Sequence, residues 1–321
     1  MNIADILISH ARTRPDHPAI EDGERIITYA ALDAAVTDAA SNIQAVGIDA
    51  GDIVAILGPD SAGHLIVLCA LARVGAVIYW VNISLSKNAL EESLNTVPVK
   101  ALITSVLDFP RIFTLWLAAK DICGLASMPF DAPRISDNDP VTVIQPSGTT
   151  GTLKTLIRSH AQTVDWFKRY AKCSGWTAAE RCLCITSMFF NIGRHISLSI
   201  LYIGATVVIN RAENIEDVVK ILCDKLITYF KVTPVYLLPM LDLPGEAPLF
   251  PGLRAMAVGS ASITHANRMR AREKVDAELR RADGNQRSRT GGFRGAGGSG
   301  RPPGRGRPGR RWRRSADRGC G

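Results

Sequence analysis

The residues best suited to chemistry lie in Gln145-Pro-Ser-Gly-Thr-Thr-Gly-Thr-Leu-Lys-Thr155. Glycine lets the backbone approach a ligand closely, and successive N–H groups in such a run form a nest for an anion. Ser147, Thr149 and Thr150 add hydroxyl donors, and Lys154 adds a mobile cation suited to a terminal phosphate. Ser147, Gly148, Thr149, Thr150, Gly151 and Lys154 are therefore candidates for phosphate contact. Spacing excludes a Walker loop, which needs a glycine, four residues and then Gly-Lys-Ser/Thr. Here Gly148 stands three residues before Gly151, and Thr152 follows it. No dinucleotide-type Gly-x-Gly-x-x-Gly occupies the segment.

Such a loop needs regular elements on both sides. Residues 141–145 read as a strand before it, and the pattern over 161–173 predicts a helix after it. Upstream, Leu32, Ala35, Val36, Ala39, Ile43 and Val46 follow three–four spacing, with Thr28 as N-cap and Gly47 as stop. Strands are expected at 52–57, 76–81 and 100–104, with a helix at 62–73. Downstream, strands at 181–186, 205–209, 228–232 and 253–258 alternate with helices at 196–202, 215–226 and 234–241. Such alternation predicts an α/β fold of parallel-containing sheets flanked by helices. Four prolines between 110 and 140 suggest a linker between two sheet-forming halves.

Ser147-Gly-Thr-Thr-Gly-x-x-Lys154, with Ser159-His160 after it, resembles the phosphate-binding signature of the adenylate-forming superfamily. That superfamily comprises the AMP-dependent acyl-CoA synthetases and ligases, with relatives among peptide-synthetase adenylation domains and luciferases. Further stretches agree in order: Ile27-Thr-Tyr-Ala-Ala-Leu32, Leu71-Ala-Arg-Val-Gly-Ala-Val77, Thr233-Pro-Val-Tyr-Leu-Leu-Pro239 and Leu253-Arg-Ala-Met-Ala-Val-Gly-Ser-Ala261. The resemblance implies a truncated N-terminal domain of such an enzyme. ATP would activate a carboxylic acid as an acyl-adenylate, and CoA would then take the acyl group as co-substrate. It implies that Ser147–Gly151 and Lys154 cradle the ATP phosphates, and that Thr150 lies near phosphate-bound Mg2+. It also implies that Gly259, Ser260 and Ala261 lie along the adenine. Within Met188-Phe-Phe-Asn-Ile-Gly193 the family often has a histidine, and Asn191, with Gly193, is expected to line the acid pocket instead.

The chain also departs from the family. Leu153 and Thr155 stand where a proline and a glycine usually flank the lysine. The later Tyr-Gly-x-x-Glu, ribose aspartate, hinge and C-terminal lysine have no counterpart, so the activity is expected to be absent or impaired. Residues 276–321 hold 13 Arg, no Lys and 12 of the 27 glycines, and read as a disordered tail translated out of frame from a GC-rich gene. The expected division is thus a body of 1–275, with a sub-boundary near 110–140, and a tail of 276–321. The alternative is a nucleotide- or nucleic-acid-binding protein whose basic tail holds phosphates nonspecifically.

The formal charge of +8 belongs to that tail, since 1–275 carry 25 basic and 26 acidic side chains. A balanced, apolar-rich body excludes intrinsic disorder. Seven cysteines without a C-x-x-C pair are expected to be buried free thiols, with Cys182 and Cys184 on one strand face. The N-terminus lacks the basic region of a secretory leader, and Arg73 interrupts the apolar run 65–85, so a cytoplasmic protein without a membrane span is expected. His160 is read as a packing residue and His195 as a surface residue of a helix.

Overall fold

The computed structural model describes the chain except residues 1, 4, 83–84, 106–114, 119–128, 145–155, 245–248, 251, 260, 276–277 and 283–321, with backbone alone at 115–118 and 278–282. The first half contains α1 (Asp5–Thr13), β1 (Pro18–Asp22), β2 (Arg25–Thr28), α2 (Tyr29–Ala45), β3 (Ile53–Leu57), α3 (Ala62–Val74), β4 (Val77–Trp80), α4 (Lys87–Asn95), β5 (Val99–Thr104) and β6 (Leu115–Ala118). Next come β7 (Pro140–Ile144), β8 (Leu156–Ser159), α5 (His160–Ser174), β9 (Arg181–Cys184), α6 (Asn191–Tyr202) and β10 (Thr206–Val208). The series ends with α7 (Ile215–Asp224), β11 (Tyr229–Val232), α8 (Pro234–Asp242), β12 (Ala255–Gly259), α9 (His265–Val275) and β13 (Glu278–Ala282).

The strands form two sheets, ordered β13-β12-β11-β9-β10-β1-β2 and β6-β5-β3-β4-β7-β8. Only the β1–β2 and β7–β8 pairs are antiparallel; the other neighbours run parallel, as the alternation of elements predicts. Side-chain period two sorts the apolar residues into layers. Val54 and Ile56 of β3 and Ala255 and Ala257 of β12 share one core with α2, α3, α5 and α6. Ala55 and Leu57 face α4 on one outer side, while Met256 and Val258 face α7, α8 and α9 on the other. The result is helix, sheet, helix, sheet, helix. Cys182 and Cys184 do face one core, with Leu183 in the other. Not every thiol is buried: Cys173 and Cys223 are exposed.

Local chemistry explains the helix boundaries. Thr28 accepts from Ala31 N and starts α2 one turn before its apolar stripe. Removing that acceptor by Thr28→Ala should cost about 1 kcal/mol, read as a shift in the urea midpoint with an unchanged slope. Ser61 caps α3 in the same way, and Gly75 ends it at φ +84. A β-carbon at Gly75 would lie 3.0 Å from Ala50 and 3.2 Å from Ile135, so crowding and a left-handed backbone both select glycine. Arg73, inside the apolar run, reaches across to α2, where it pairs with Asp33 at 2.6 Å and donates to Thr37 Oγ1 at 2.6 Å. Ser159 caps α5 in a capping box with Gln162. His160 is buried and its Nδ1 accepts from Ile3 N, a packing role.

Some elements are not legible in the local pattern. α6 begins at Asn191, five residues before its apolar repeat, because the buried polar groups of its first turns find acceptors nearby. β13 pairs in parallel with β12 from Ala255↔Glu278 to Gly259↔Ala282 and extends regular structure past residue 275. The six-stranded sheet draws strands from both sides of 110–140, with β3, β4 and β5 before it and β7 and β8 after it. Among the described residues no helix is long and apolar enough to cross a membrane.

Candidate functional site

The carboxyl ends of the parallel strands of both sheets converge, which is where ligands bind in open α/β sheets. Asp60, after β3, holds the segment after β9: Asp60 Oδ1 accepts from Ser187 Oγ and from Met188 N, both at 3.0 Å. Burial raises the Asp60 pKa, and these hydrogen bonds partly offset that. Asp22, at the end of β1, accepts from Ala62 N at the start of α3 and pairs with Arg211 after β10. One set of short carboxylate contacts thus ties the two sheets together at their carboxyl ends.

Beside this junction lies a cavity of about 660 Å³, within the range of small-molecule sites. Its walls include Tyr79, Trp80 and Val81 at the end of β4, Val143 and Ile144 of β7, Leu156 and Arg158 of β8, and Phe189–Asn191 with Arg194 at the start of α6. α4 closes one side through Ala89 and Ser93. Ile144 and Leu156 are cross-strand partners, so the eleven residues 145–155 join adjacent antiparallel strands whose ends line the cavity. The predicted phosphate residues Ser147, Gly148, Thr149, Thr150, Gly151 and Lys154 fall in that connection and lie outside the described residues, as does Ser260.

The remaining candidates divide. Asn191 lines the cavity, and its Oδ1 accepts from Arg194 Nη2 at 3.2 Å. Gly193 does not line it. It is buried against the preceding loop, where a β-carbon would overlap the carbonyl oxygens of Thr186 and Ser187. Gly259 is the buried last residue of β12, and Ala261 is exposed in the turn after it.

Two arginines that no motif marks also face this site. Arg194 is buried and donates to Met188 O at 3.1 Å and Phe189 O at 3.3 Å, and its guanidinium carbon lies 5.8 Å from the Trp80 ring centroid. Burial, with the nearby Arg158 charge, lowers its pKa to about 10, which still leaves it cationic at neutral pH. Arg158 Nη1 lies 3.5 Å from His195 Nε2. The signal for Arg194 was a lone cation inside an apolar helical stretch; Arg158 had only its position two residues after Leu156.

His195 is buried, not on the helix surface, because α6 turns that face toward Trp166 and Phe167 of α5. Its Nδ1 lies 2.6 Å from Asn191 O, an acceptor only. Nδ1 therefore carries the proton, and Nε2 presents a lone pair to Arg158. Burial first, then the charge of Arg194, holds the His195 pKa down to about 3, and burial holds that of His160 down to about 4, from an ordinary 6.5. Both stay neutral in the folded protein, whereas the unfolded chain takes up protons below its ordinary pKa. Stability contributed by their neutrality is complete above pH 6.5 and lost as pH falls toward the folded values. Each should add a slope of at most about 1.4 kcal/mol per pH unit. Urea unfolding at mildly acidic and neutral pH should show His195→Gln with a shallower pH dependence than wild type; an unchanged slope would contradict this.

Among the described residues no group of three or more His, Cys, Asp or Glu side chains could hold a metal ion.

The sequence model of the family described as AMP-binding enzyme matches residues 7–281. Among curated proteins, the chain is 23% identical over 308 residues to 3-[(3aS,4S,7aS)-7a-methyl-1,5-dioxo-octahydro-1H-inden-4-yl]propanoyl:CoA ligase of Rhodococcus jostii, covering 84% of this chain and 60% of that protein. It is 25% identical over 255 residues to a 2-succinylbenzoate–CoA ligase of Bacillus cereus, covering 79% of this chain and 52% of that protein. The chain therefore spans only 52–60% of the length of these two relatives. Among solved structures, the N-terminal subdomain of Klebsiella oxytoca NpsA, in complex with 3-hydroxyanthranilyl-AMSN, superposes with a TM-score of 0.81 at 20% identity, over 88% of this chain and 73% of that one. The o-succinylbenzoate CoA synthetase of Bacillus subtilis, in complex with the acyl-adenylate intermediate OSB-AMP, gives 0.77 at 21% identity, over 84% of this chain and 56% of that one.

Proposed function

Because the chain belongs to the AMP-binding enzyme family, we propose that it activates a carboxylic acid with ATP and passes the acyl group to CoA. The observation that carries this reading is the cavity whose wall includes both ends, Ile144 and Leu156, of the Gly/Ser/Thr/Lys connection. An acid body fits among Tyr79, Trp80, Val81, Val143 and Phe189, and the connection beside it supplies the donors that a triphosphate needs.

In the first step a carboxylate oxygen bonds to the α-phosphorus, the bond to the bridging oxygen breaks, and pyrophosphate leaves. Ser147, Gly148, Thr149, Thr150 and Gly151 donate to the phosphate oxygens, and Lys154 balances the charge that builds on the leaving group. Gly259, Ser260 and Ala261 flank the adenine, where a glycine at the strand end leaves room for a flat ring. Asn191 orients the acid. Thr150 would lie beside a magnesium ion on the ATP phosphates, and the ion would offset their charge. In the second step the thiol of CoA attacks the acyl carbon and AMP leaves.

Acid-dependent exchange of labelled pyrophosphate into ATP by the purified chain, across fatty and aromatic acids, is the direct test. No exchange with any acid, together with no ATP-dependent rise in melting temperature, would sink the reading. The alternative, a basic-tailed nucleotide- or nucleic-acid-binding protein, rests on the arginine content of 276–321 alone and is the weaker reading.

A further inference from the structure

The wall of the large cavity carries two cations, Arg158 and Arg194, against one carboxylate, Glu92, which is exposed. Among the described residues, neither guanidinium has a carboxylate within ion-pair distance. Arg194 is buried, so bulk water does not solvate its charge. A charge removed from water without a counter-charge is costly, and a second like charge nearby adds to that cost.

The pair is held in place. Arg194 is fixed by Met188 O, Phe189 O and Asn191 Oδ1. Arg158 meets His195 Nε2, and His195 is itself fixed by Asn191 O. Both arginines therefore converge on Asn191, the first residue of α6. His195 is neutral in this arrangement and cannot serve as counter-charge. The N-cap of α6, Phe190, makes no side-chain cap bond, so the positive end of the helix dipole adds to the same field. Most of the remaining wall is aromatic and aliphatic, including Tyr79, Trp80, Leu85, Val143 and Phe189, with Asn82 and Ser93 as polar points. Such walls suit an apolar body, and a triphosphate has its own cation in Lys154 on the neighbouring connection.

We propose that the acid accepted by this cavity is dianionic: an apolar body carrying the carboxylate to be activated and a second anionic group received by Arg158 and Arg194. The inference rests on the acid-activating reading and narrows it to a substrate class.

The test is calorimetric titration of the full chain with two matched pairs, terephthalate against para-toluate and suberate against octanoate. In each pair one carboxylate is exchanged for a methyl at nearly constant shape. The diacid should bind about tenfold or more tightly in at least one pair, the effect of one charge-assisted hydrogen bond. Arg158→Gln should abolish that preference, with diacid affinity falling about tenfold more than monoacid affinity. Arg194→Gln should do the same, but Arg194 also braces the loop before α6, so Arg158→Gln decides the matter if the Arg194 variant fails to fold. Equal affinities within both pairs would overturn the proposal. So would an Arg158→Gln variant that loses monoacid and diacid alike, which would place the activated carboxylate at the arginines, or one that loses only ATP. Pyrophosphate exchange driven by para-toluate or octanoate, with no advantage for the diacids, overturns the dianion and leaves acid activation standing. Failure of all four acids to bind or to drive exchange overturns both.

Discussion

Gly193→Ala should destabilise the protein by about 2–4 kcal/mol, among the larger effects of a single methyl group. The added β-carbon would overlap the Thr186 and Ser187 carbonyl oxygens, with the Ser187 carbonyl carbon 2.8 Å away. These are backbone atoms. They cannot rotate aside as a side chain would, so either α6 or the loop before it must move. The loop is not free to move, since Asp60 holds Ser187 and Met188 and Arg194 holds Met188 and Phe189. The methyl is therefore opposed by two carbonyl groups of a loop that is itself held in place. Gly63 is the control. It lies inside α3, and a β-carbon there meets nothing closer than Ser61 Oγ at 3.8 Å. Gly63→Ala should be neutral or stabilise by about 0.5–1 kcal/mol through helix propensity. Urea unfolding of both variants checks the pair, and a Gly193→Ala midpoint equal to wild type would show that the loop yields.

Lys154→Ala should lower acid-dependent pyrophosphate exchange by about a hundredfold to a thousandfold, the usual cost of losing one charge aimed at a developing anion. Its unfolding midpoint should stay near that of wild type. Lys154→Arg keeps the charge but replaces a compact ammonium with a planar fork, so partial activity is expected. The comparison separates charge from shape. Exchange that is equal in wild type and Lys154→Ala would remove the lysine from the proposed mechanism, whatever the acid.

Much of this molecule was readable locally. A helix with one apolar stripe shows it at three–four spacing, so α2 was found with its Thr28 cap. Parallel strands buried on both faces are short and continuously apolar, so β3, β4 and β12 are legible between helices. The Ser147–Lys154 run was legible because it is made of residues with little else to do: small, hydroxylated, glycine-rich and followed by a lysine. These features are local in sequence, and local physics produces them.

Only the tertiary structure decided the rest. No periodicity says that Asp60 after one strand will meet Ser187 after another, 127 residues later and in the other sheet. The family resemblance of the 188–193 segment puts Gly193 in the pocket, but it packs against the carbonyl oxygens of Thr186 and Ser187 and does not line the cavity. Following Gly193-Arg194, His195 reads as a surface residue of a helix. α5 covers it, and the backbone carbonyl of Asn191 fixes its tautomer. β13 could not be read from a segment of arginines and acids, because its place depends on backbone pairing with β12 and not on its own side chains. The two arginines share a cavity although 36 residues separate them, since β8 and α6 bring them together at the carboxyl ends of the strands. Composition and short spacing determine which elements form and which loop can hold an anion. Which charges share a chamber is set by long-range packing, and here that packing places two cations in the wall of one cavity.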